Sequence, residues 1–430
     1  MANSWRVCAL SDLVEIKHGF AFEGEYFREE PPGDILLTPG NFRIGGGFKS
    51  DKFKYYAGPV PQEFVLKAGD LLVTMTDLSR EGDTLGYPVL VPWNDHRRFL
   101  HNQRLGKVTM KEGAELDVRF LYYVLCSRNY RGEILAGATG STVRHTSPER
   151  ILAFKFKAPL LAEQREIAGV LSALDEKIEL NRRMNETLES IARAIFKSWF
   201  VDFDPVKAKA EGRVPEGMDS ETAALFPNEF EDSALGPIPT GWTVINVGDA
   251  FELTMGQSPP GHTYNENGDG VPFFQGRADF GFRFPTARVH CVAPTRFAEK
   301  DDTLVSVRAP VGDVNMALER CCIGRGVAAL RHKSNSRSYT YYAMELLRLS
   351  LSNFEAEGTV FGSINKNGFC AMKLIEPPAD VARAFAAEVL HIDSLIEVNT
   401  RQIGALTSFR DTLLPRLISG KLRIPAKPDQ

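Results

Sequence analysis

The sequence predicts an α+β chain: two strand-rich domains in pseudo-two-fold tandem repeat, separated by two long helices packed as an antiparallel intramolecular coiled coil. Three observations lead there. First, Glu163 to Phe200 carries apolar residues at alternating four- and three-residue steps (Ile167, Leu171, Leu174, Ile178, then Leu188, Ala192, Ile195 and Trp199) with no proline between Pro159 and Pro205. That is a heptad seam on a helix of roughly 50 Å. Second, the stripe returns 218 residues later as Phe385, Val389, Ile392, Ile396, Asn399, Ile403, Leu406, Leu413 and Leu417, interrupted by Arg410, and Asp, Ile, Glu, Asn and Arg keep their places between Leu174–Arg183 and Ile392–Arg401. Third, the stretches before the two helices correspond in order, which marks an internal repeat.

Residues 1–158 form the first head, with short aliphatic or β-branched runs at Asp34–Thr38, Asp70–Thr76, Tyr87–Val91 and Leu105–Thr109 between Gly and Pro clusters. Arg119–Asn129 reads as one helix, Ser147-Pro148 as a helix start and Phe154–Ala158 as a last strand. The first long helix occupies 159–203, and 204–240 is an acidic, Pro-rich connector ending in Gly236-Pro237-Ile238-Pro239-Thr240-Gly241. The second head, 241–377, then repeats the first. Trp5 answers to Trp242 and Gly19 to Gly256 at a separation of 237, Asp70–Thr74 to Asp302–Ser306 at 232, Arg104 to Arg325 at 221, and Gly140 to Gly358 at 218. The second long helix covers 378–420, leaving a tail at 421–430. The seam does not itself choose between parallel and antiparallel pairing; the antiparallel choice supplies a pseudo-two-fold axis. Asn181 and Asn399 then fall near the middle, where a polar pair fixes register.

A chain of 430 residues with 43 % hydrophobic content has room for two or three cores. Cys8, Cys126, Cys291, Cys321, Cys322 and Cys370 lack metal-ligand spacing and any disulfide framework, so a reducing, cytoplasmic setting is expected. Neither a signal peptide nor a membrane span is indicated. The net charge of -4 argues against a nucleic-acid partner, but the connector alone accounts for it, holding Asp204, Glu211, Glu216, Asp219, Glu221, Glu229, Glu231 and Asp232 against Lys207, Lys209 and Arg213. Catalytic signatures are missing: there is no P-loop, no adenine-methylase tetrapeptide of the [DN]PP[YFW] kind and no GxSxG. Glu15-Ile16-Lys17 reads as the solvent side of a strand rather than a nuclease motif, and the histidines as ordinary polar residues. A metal site is not indicated.

Several stretches together resemble a known family. They are the repeated [L/I]-Asp-x-x-Ile-Glu-x-Asn-x-Arg helix, Pro159-Leu160-Leu161-Ala162-Glu163-Gln164-Arg165-Glu166-Ile167, the Ser198–Pro205 exit and the Leu413–Leu422 end. They look like the specificity subunit of type I restriction-modification enzymes, and the resemblance covers essentially the whole chain. It implies a non-catalytic subunit in which two target-recognition domains each read one half of a split double-stranded DNA sequence, with the paired helices as a ruler for the gap. It also implies docking of two modification (methyltransferase) subunits and of restriction (translocase and nuclease) subunits. S-adenosylmethionine, ATP and Mg would then be held by those partners and no cofactor by this chain. The second copy departs from the pattern, since Pro377-Pro378-Ala379-Asp380 has no match to Glu163-Gln164-Arg165. A rival reading is a two-headed coiled-coil adaptor for protein partners.

A recognition head needs Lys, Arg and small polar groups on the phosphates and Arg, Asn or Gln on base edges. In the first head the candidates are Asn41, Arg43, Lys49, Lys52 and Lys54, interleaved with aromatics around Gly45-Gly46-Gly47, followed by Arg104 and, in the Thr139–His145 loop, Arg144. In the second they are Gln275, Arg277, Arg283, Arg308, Arg325 and the turn with Asn365 and Lys366.

Overall fold

The computed structural model describes residues 5–94, 96–356 and 362–424. Gly358 and the last six residues of the tail lie outside the described residues. The seams form helices Leu161–Phe200 and Ala379–Ile418, forty residues each. The chain divides into two compact units, one of Met1–Glu179 with Gly404–Gln430 and one of Leu180–Ile403. Each long helix therefore contributes a segment to each unit.

The first unit has a four-stranded antiparallel sheet in the order Val14–His18, Leu105–Met110, Leu71–Thr74, Pro88–Leu90. A five-stranded sheet runs Phe27–Arg28, Lys54–Tyr56, Asp34–Leu37, Phe99–His101, Val65–Leu66, with Asp34–Leu37 and Phe99–His101 parallel. Strand Arg6–Ala9 pairs with Lys155–Ala158 and closes the head onto the start of the first long helix. The expected helix at 119–129 is two, Val118–Leu125 and Arg128–Ala136, because Ser127 accepts a bond from the Tyr130 amide and caps a new helix. The core gathers Leu10, Val73, Phe120, Tyr130 and Phe156 of the head with Ile167 and Leu171 of the first helix and Leu417 of the second. Arg410 Nη1 meets Asp175 Oδ1 at 2.7 Å, and Arg423 Nη1 meets Glu163 Oε1 at 2.6 Å. Between the helices themselves Asn181 bonds to Gln402 and Asn185 to Asn399, so numbers fall on one as they rise on the other and the pairing is antiparallel.

The second unit repeats this topology strand for strand. Its four-stranded sheet is Phe251–Met255, Val327–His332, Thr303–Ser306, Val314–Met316, and its five-stranded sheet is Tyr264–Asn265, His290–Cys291, Val271–Phe274, Cys321–Ile323, Phe297–Ala298. Pairing register corrects one alignment. Val14 faces Met110 as Phe251 faces His332, and Leu105 faces Thr74 as Val327 faces Ser306. The separation at this strand is therefore 222, and Arg325 corresponds to Gln103 rather than Arg104; with no pattern stronger than Arg and Val, a one-residue slip was invisible in the sequence. The connector is ordered, with helices Asp204–Ala210 and Ser220–Ala224 and a hairpin of Phe230–Ser233 with Gly236–Pro239. It packs Val206, Phe226 and Ile238 around Trp242, Phe200 and Phe203.

The seam's polar positions lie in this unit. Asn181 and Asn399 are both buried, but they do not pair with each other: Asn399 Nδ2 donates to Asn185 Oδ1 at 3.0 Å, and Asn181 Nδ2 donates to Gln402 Oε1 at 2.8 Å. The residue that the repeat sets opposite Asn181, as Asn185 stands opposite Asn399, is Ile403. It offers no donor, and Asn181 Oδ1 is buried without a partner.

Candidate nucleic-acid interface

In the second head, four backbone segments meet at one edge of the sheets. Gly324 N bonds to Phe274 O at 2.8 Å, Val307 N to Gly326 O at 3.0 Å, Ile364 N to Val307 O at 3.1 Å and Ala309 N to Gly362 O at 3.0 Å. These bonds bring together the end of Val271–Phe274, which carries Gln275 and Arg277, the Gly324-Arg325-Gly326 turn, Arg308 beyond Thr303–Ser306, and the turn with Asn365 and Lys366. Gln275, Arg277, Arg308, Arg325, Asn365 and Lys366 are all exposed. Asn365 also caps the helix Lys366–Cys370, accepting from Gly368 N at 2.8 Å. The turn is closely built: a Cβ on Gly326 would stand 2.3 Å from Gln275 O. Asp313 organises part of the edge by pairing with Arg277 and, at 2.5 Å, with Arg348 from the helix Arg337–Ala356. Neither Asp313 nor Arg348 was picked out from the sequence, because a helix-borne Arg and a hairpin Asp carry no local signature.

Arg283 corrects an expectation. It is 2 % exposed, and its guanidinium is fully engaged inside the unit. Nε donates to Glu189 Oε2 at 3.0 Å, Nη1 to Asp393 Oδ1 at 3.1 Å and Nη2 to the Tyr342 hydroxyl at 2.5 Å, while the group lies over the Tyr341 ring at 3.9 Å. Burial works to lower its pKa, but the charge and ring partners Tyr341, Glu189, Tyr342 and Asp393 outweigh it and the pKa is raised. A cation so held does not reach a DNA surface. The sequence did hold one signal for this site: Asp393 is the repeat counterpart of Asp175, which in the first unit accepts from the Tyr123 hydroxyl at 2.8 Å and from Arg410.

The first head has the equivalent edge. Met75 N bonds to Arg104 O at 2.9 Å and Thr146 N to Met75 O at 3.0 Å, and Arg144–His145 pairs with Thr76–Asp77 just as Ser363 bridges Arg308. Arg104 is exposed there, and half-buried Arg144 donates from Nε to Arg80 O at 3.2 Å. Burial opposes the charged form of Asp77, yet bonds from Thr84 and Ser79 more than offset it and hold its carboxyl below the usual value, fixing the loop that carries Arg80.

Asn41 is a second correction. It is 1 % exposed and ties its own loop, accepting from Thr38 N at 3.0 Å and donating to Lys52 O at 3.1 Å and Lys49 O at 3.3 Å. Arg43 turns back to Phe48 O at 2.7 Å and faces Glu179 at 3.7 Å. Lys49 and Lys52 pair with Asp51 and Glu29 at 3.3 and 3.4 Å, and Lys54 is exposed. Gln164, whose motif lacks a match in the second copy, is buried as well. It accepts from Asp117 N at 2.9 Å and donates to Pro159 O at 2.9 Å, locking the helix start onto the head, while its counterpart Ala382 is simply a core residue.

Among the described residues no grouping of His, Cys, Asp and Glu could hold a metal, and no helix is long and apolar enough to cross a membrane. What the geometry offers is two equivalent arginine-bearing edges, each on a head joined to a paired-helix segment. Residues 3–190 match the family model described as the type I restriction modification DNA specificity domain. The HindI type I restriction enzyme specificity subunit of Haemophilus influenzae is 26 % identical over 400 residues, 80 % of this chain and 87 % of the relative. A Methanocaldococcus jannaschii protein assigned as the MjaX type I specificity subunit is 32 % identical over 277 residues, 63 % of this chain; the match spans 60 % of that relative's length. The crystal structure of a type I restriction-modification S subunit from M. genitalium shares the fold, with a TM-score of 0.59 at 18 % identity over 100 % of this chain and 98 % of that one. The chain is thus similar to type I restriction-modification specificity subunits, with the DNA specificity domain matched over residues 3–190.

Proposed function

We propose that this chain is the non-catalytic DNA-specificity subunit of a type I restriction-modification complex. Each head reads one half of a bipartite duplex target from its strand-end edge, and the paired helices set the gap and dock two modification subunits. Restriction subunits join that core in the cytoplasm. Methylation with S-adenosylmethionine and ATP-driven translocation and cleavage belong to those partners. The observation that carries the reading is the repeated edge: the same strand order, the same bridge and the same turn recur in both heads, with exposed arginine at each. Arginine at a strand end suits this task, since its planar fork can bind guanine O6 and N7 or a phosphate.

The test is selection of randomised duplex DNA by this chain co-expressed with its modification subunit. Recovery of a two-part motif with a fixed gap is expected. Loss of all sequence preference with the complex intact would favour the adaptor reading instead.

A further inference from the structure

We propose that Arg283 is a positioning residue for the half-site read by the second head: it fixes the Gln275–Phe284 loop on the paired helices so that Gln275 and Arg277 meet the bases in one geometry. This rests on the specificity reading above. The loop is held at both ends. Near its start, Asp279 accepts from Gln275 N at 2.7 Å and from Arg288 Nη2 at 2.6 Å, and its own carbonyl accepts from Thr286 N at 2.8 Å. Near its finish, Asn315 Nδ2 holds Gly281 O at 3.0 Å and Met316 N holds Arg283 O at 2.8 Å.

Arg283 then runs inward and bridges both helices at once, through Glu189 of the first and Asp393 of the second. The network continues. Glu189 Oε1 accepts from Arg193 Nε at 3.0 Å, Arg193 Nη2 meets Glu345 at 2.7 Å, and Ser338 donates to Asp393 Oδ2 at 2.5 Å. A buried cation with bonds in fixed directions specifies orientation more than it adds stability, because desolvation offsets much of the attraction. Among the described residues, the corresponding loop of the first head reaches the helix through Arg43 and Glu179, 3.7 Å apart and both partly exposed, where solvent screens the pair. The effect of Arg283 is accordingly confined to one half of the target.

The experiment is the same DNA selection, run in parallel on the wild-type complex, on Arg283→Lys and on the apolar triple variant Arg283→Met, Glu189→Leu, Asp393→Leu. Lysine keeps the charge but not the fork, and the triple variant leaves no buried charge unpaired. Both are expected to assemble and to keep the first half of the motif sharp. At the bases read by the second head, preference should fall about tenfold, the scale of one misplaced bidentate contact. Two sharp halves in the variants would overturn the proposal. So would equal blurring of both halves, or failure of both variants to assemble, since each makes Arg283 a folding residue only. A wild-type complex without a two-part motif would instead overturn the specificity reading, whatever the variants do.

Discussion

Asn181 and Asn185 sit one turn apart on the same helix stripe, yet replacing each by leucine should move stability in opposite directions. Asn181 makes one bond, to Gln402, whose exposed side chain turns to water when the partner goes; its own Oδ1 is already orphaned in the seam. Asn181→Leu gives up a bond worth about 1 kcal/mol net and removes an unsatisfied buried acceptor that costs about 1–3 kcal/mol. With the added apolar burial the variant should gain about 1 kcal/mol or more. Asn185 differs because its Oδ1 receives the amide of Asn399, itself 4 % exposed, and its Nδ2 reaches Thr400 Oγ1 at 3.3 Å. Asn185→Leu strands the Asn399 donor and should lose about 1–3 kcal/mol before the gain from leucine. Helix propensity changes equally in both, so it cancels in the comparison. Urea unfolding of the full chain, followed by fluorescence to which buried Trp199 and Trp242 contribute, reads the difference. The two midpoints should separate by about 1 M, Asn181→Leu above wild type. A lower midpoint for Asn181→Leu, or equal losses in both variants, would refute the reasoning.

Three other outcomes follow from the geometry. Arg308→Glu with Arg325→Glu should weaken binding of target DNA by the assembled complex by tenfold or more at low salt and flatten its salt dependence, with subunit assembly unchanged; unchanged affinity removes both from the interface. His101 is buried, which lowers its pKa from 6.5 to about 4, and its Nε2 donates to Leu105 O. The unfolded chain therefore takes up a proton that the folded chain refuses, so stability is complete above about pH 6.5 and falls by up to about 3 kcal/mol as pH drops towards 4. His101→Gln should flatten that part of the melting-temperature profile. Finally, Arg423 lies 4.8 Å over the Trp5 ring and pairs with Glu163, which also accepts from Trp5 Nε1 at 3.2 Å. Arg423→Ala should shift Trp5 emission to the red yet cost less than about 1 kcal/mol, because the ion pair is partly exposed.

The repeat and the seam were legible because periodicity survives substitution: any apolar residue at Ile167 or Phe385 keeps the stripe. Strand existence followed too, from β-branched runs such as Leu71–Thr74. Side-chain destination was not legible. Asn41 and Arg283 stand in Gly- and aromatic-flanked loops of the kind that meet ligands, and only tertiary contacts reveal that one ties its loop and the other crosses to Glu189 and Asp393. The polar seam failed in a related way. Matching Asn181 to Asn399 by sequence identifies equivalent positions, whereas in an antiparallel pair equivalent residues face each other only on the symmetry axis. The partners are offset, so Asn399 meets Asn185.

The division of the chain bears on how it emerges from the ribosome. The second unit is continuous in sequence, whereas the first combines the first head with residues that follow the second unit. Leu417 belongs to the core that holds Phe120 and Ile167, and Leu413 packs against it. That core cannot be completed until the chain beyond Gly404 has been made, when the inner unit already has all its strands and both of its helix segments. The nested order makes the segment after Ile403 a latch: a chain cut before Gly404 holds the whole second unit and a first head whose helix stripe stays uncovered, with apolar surface that invites aggregation.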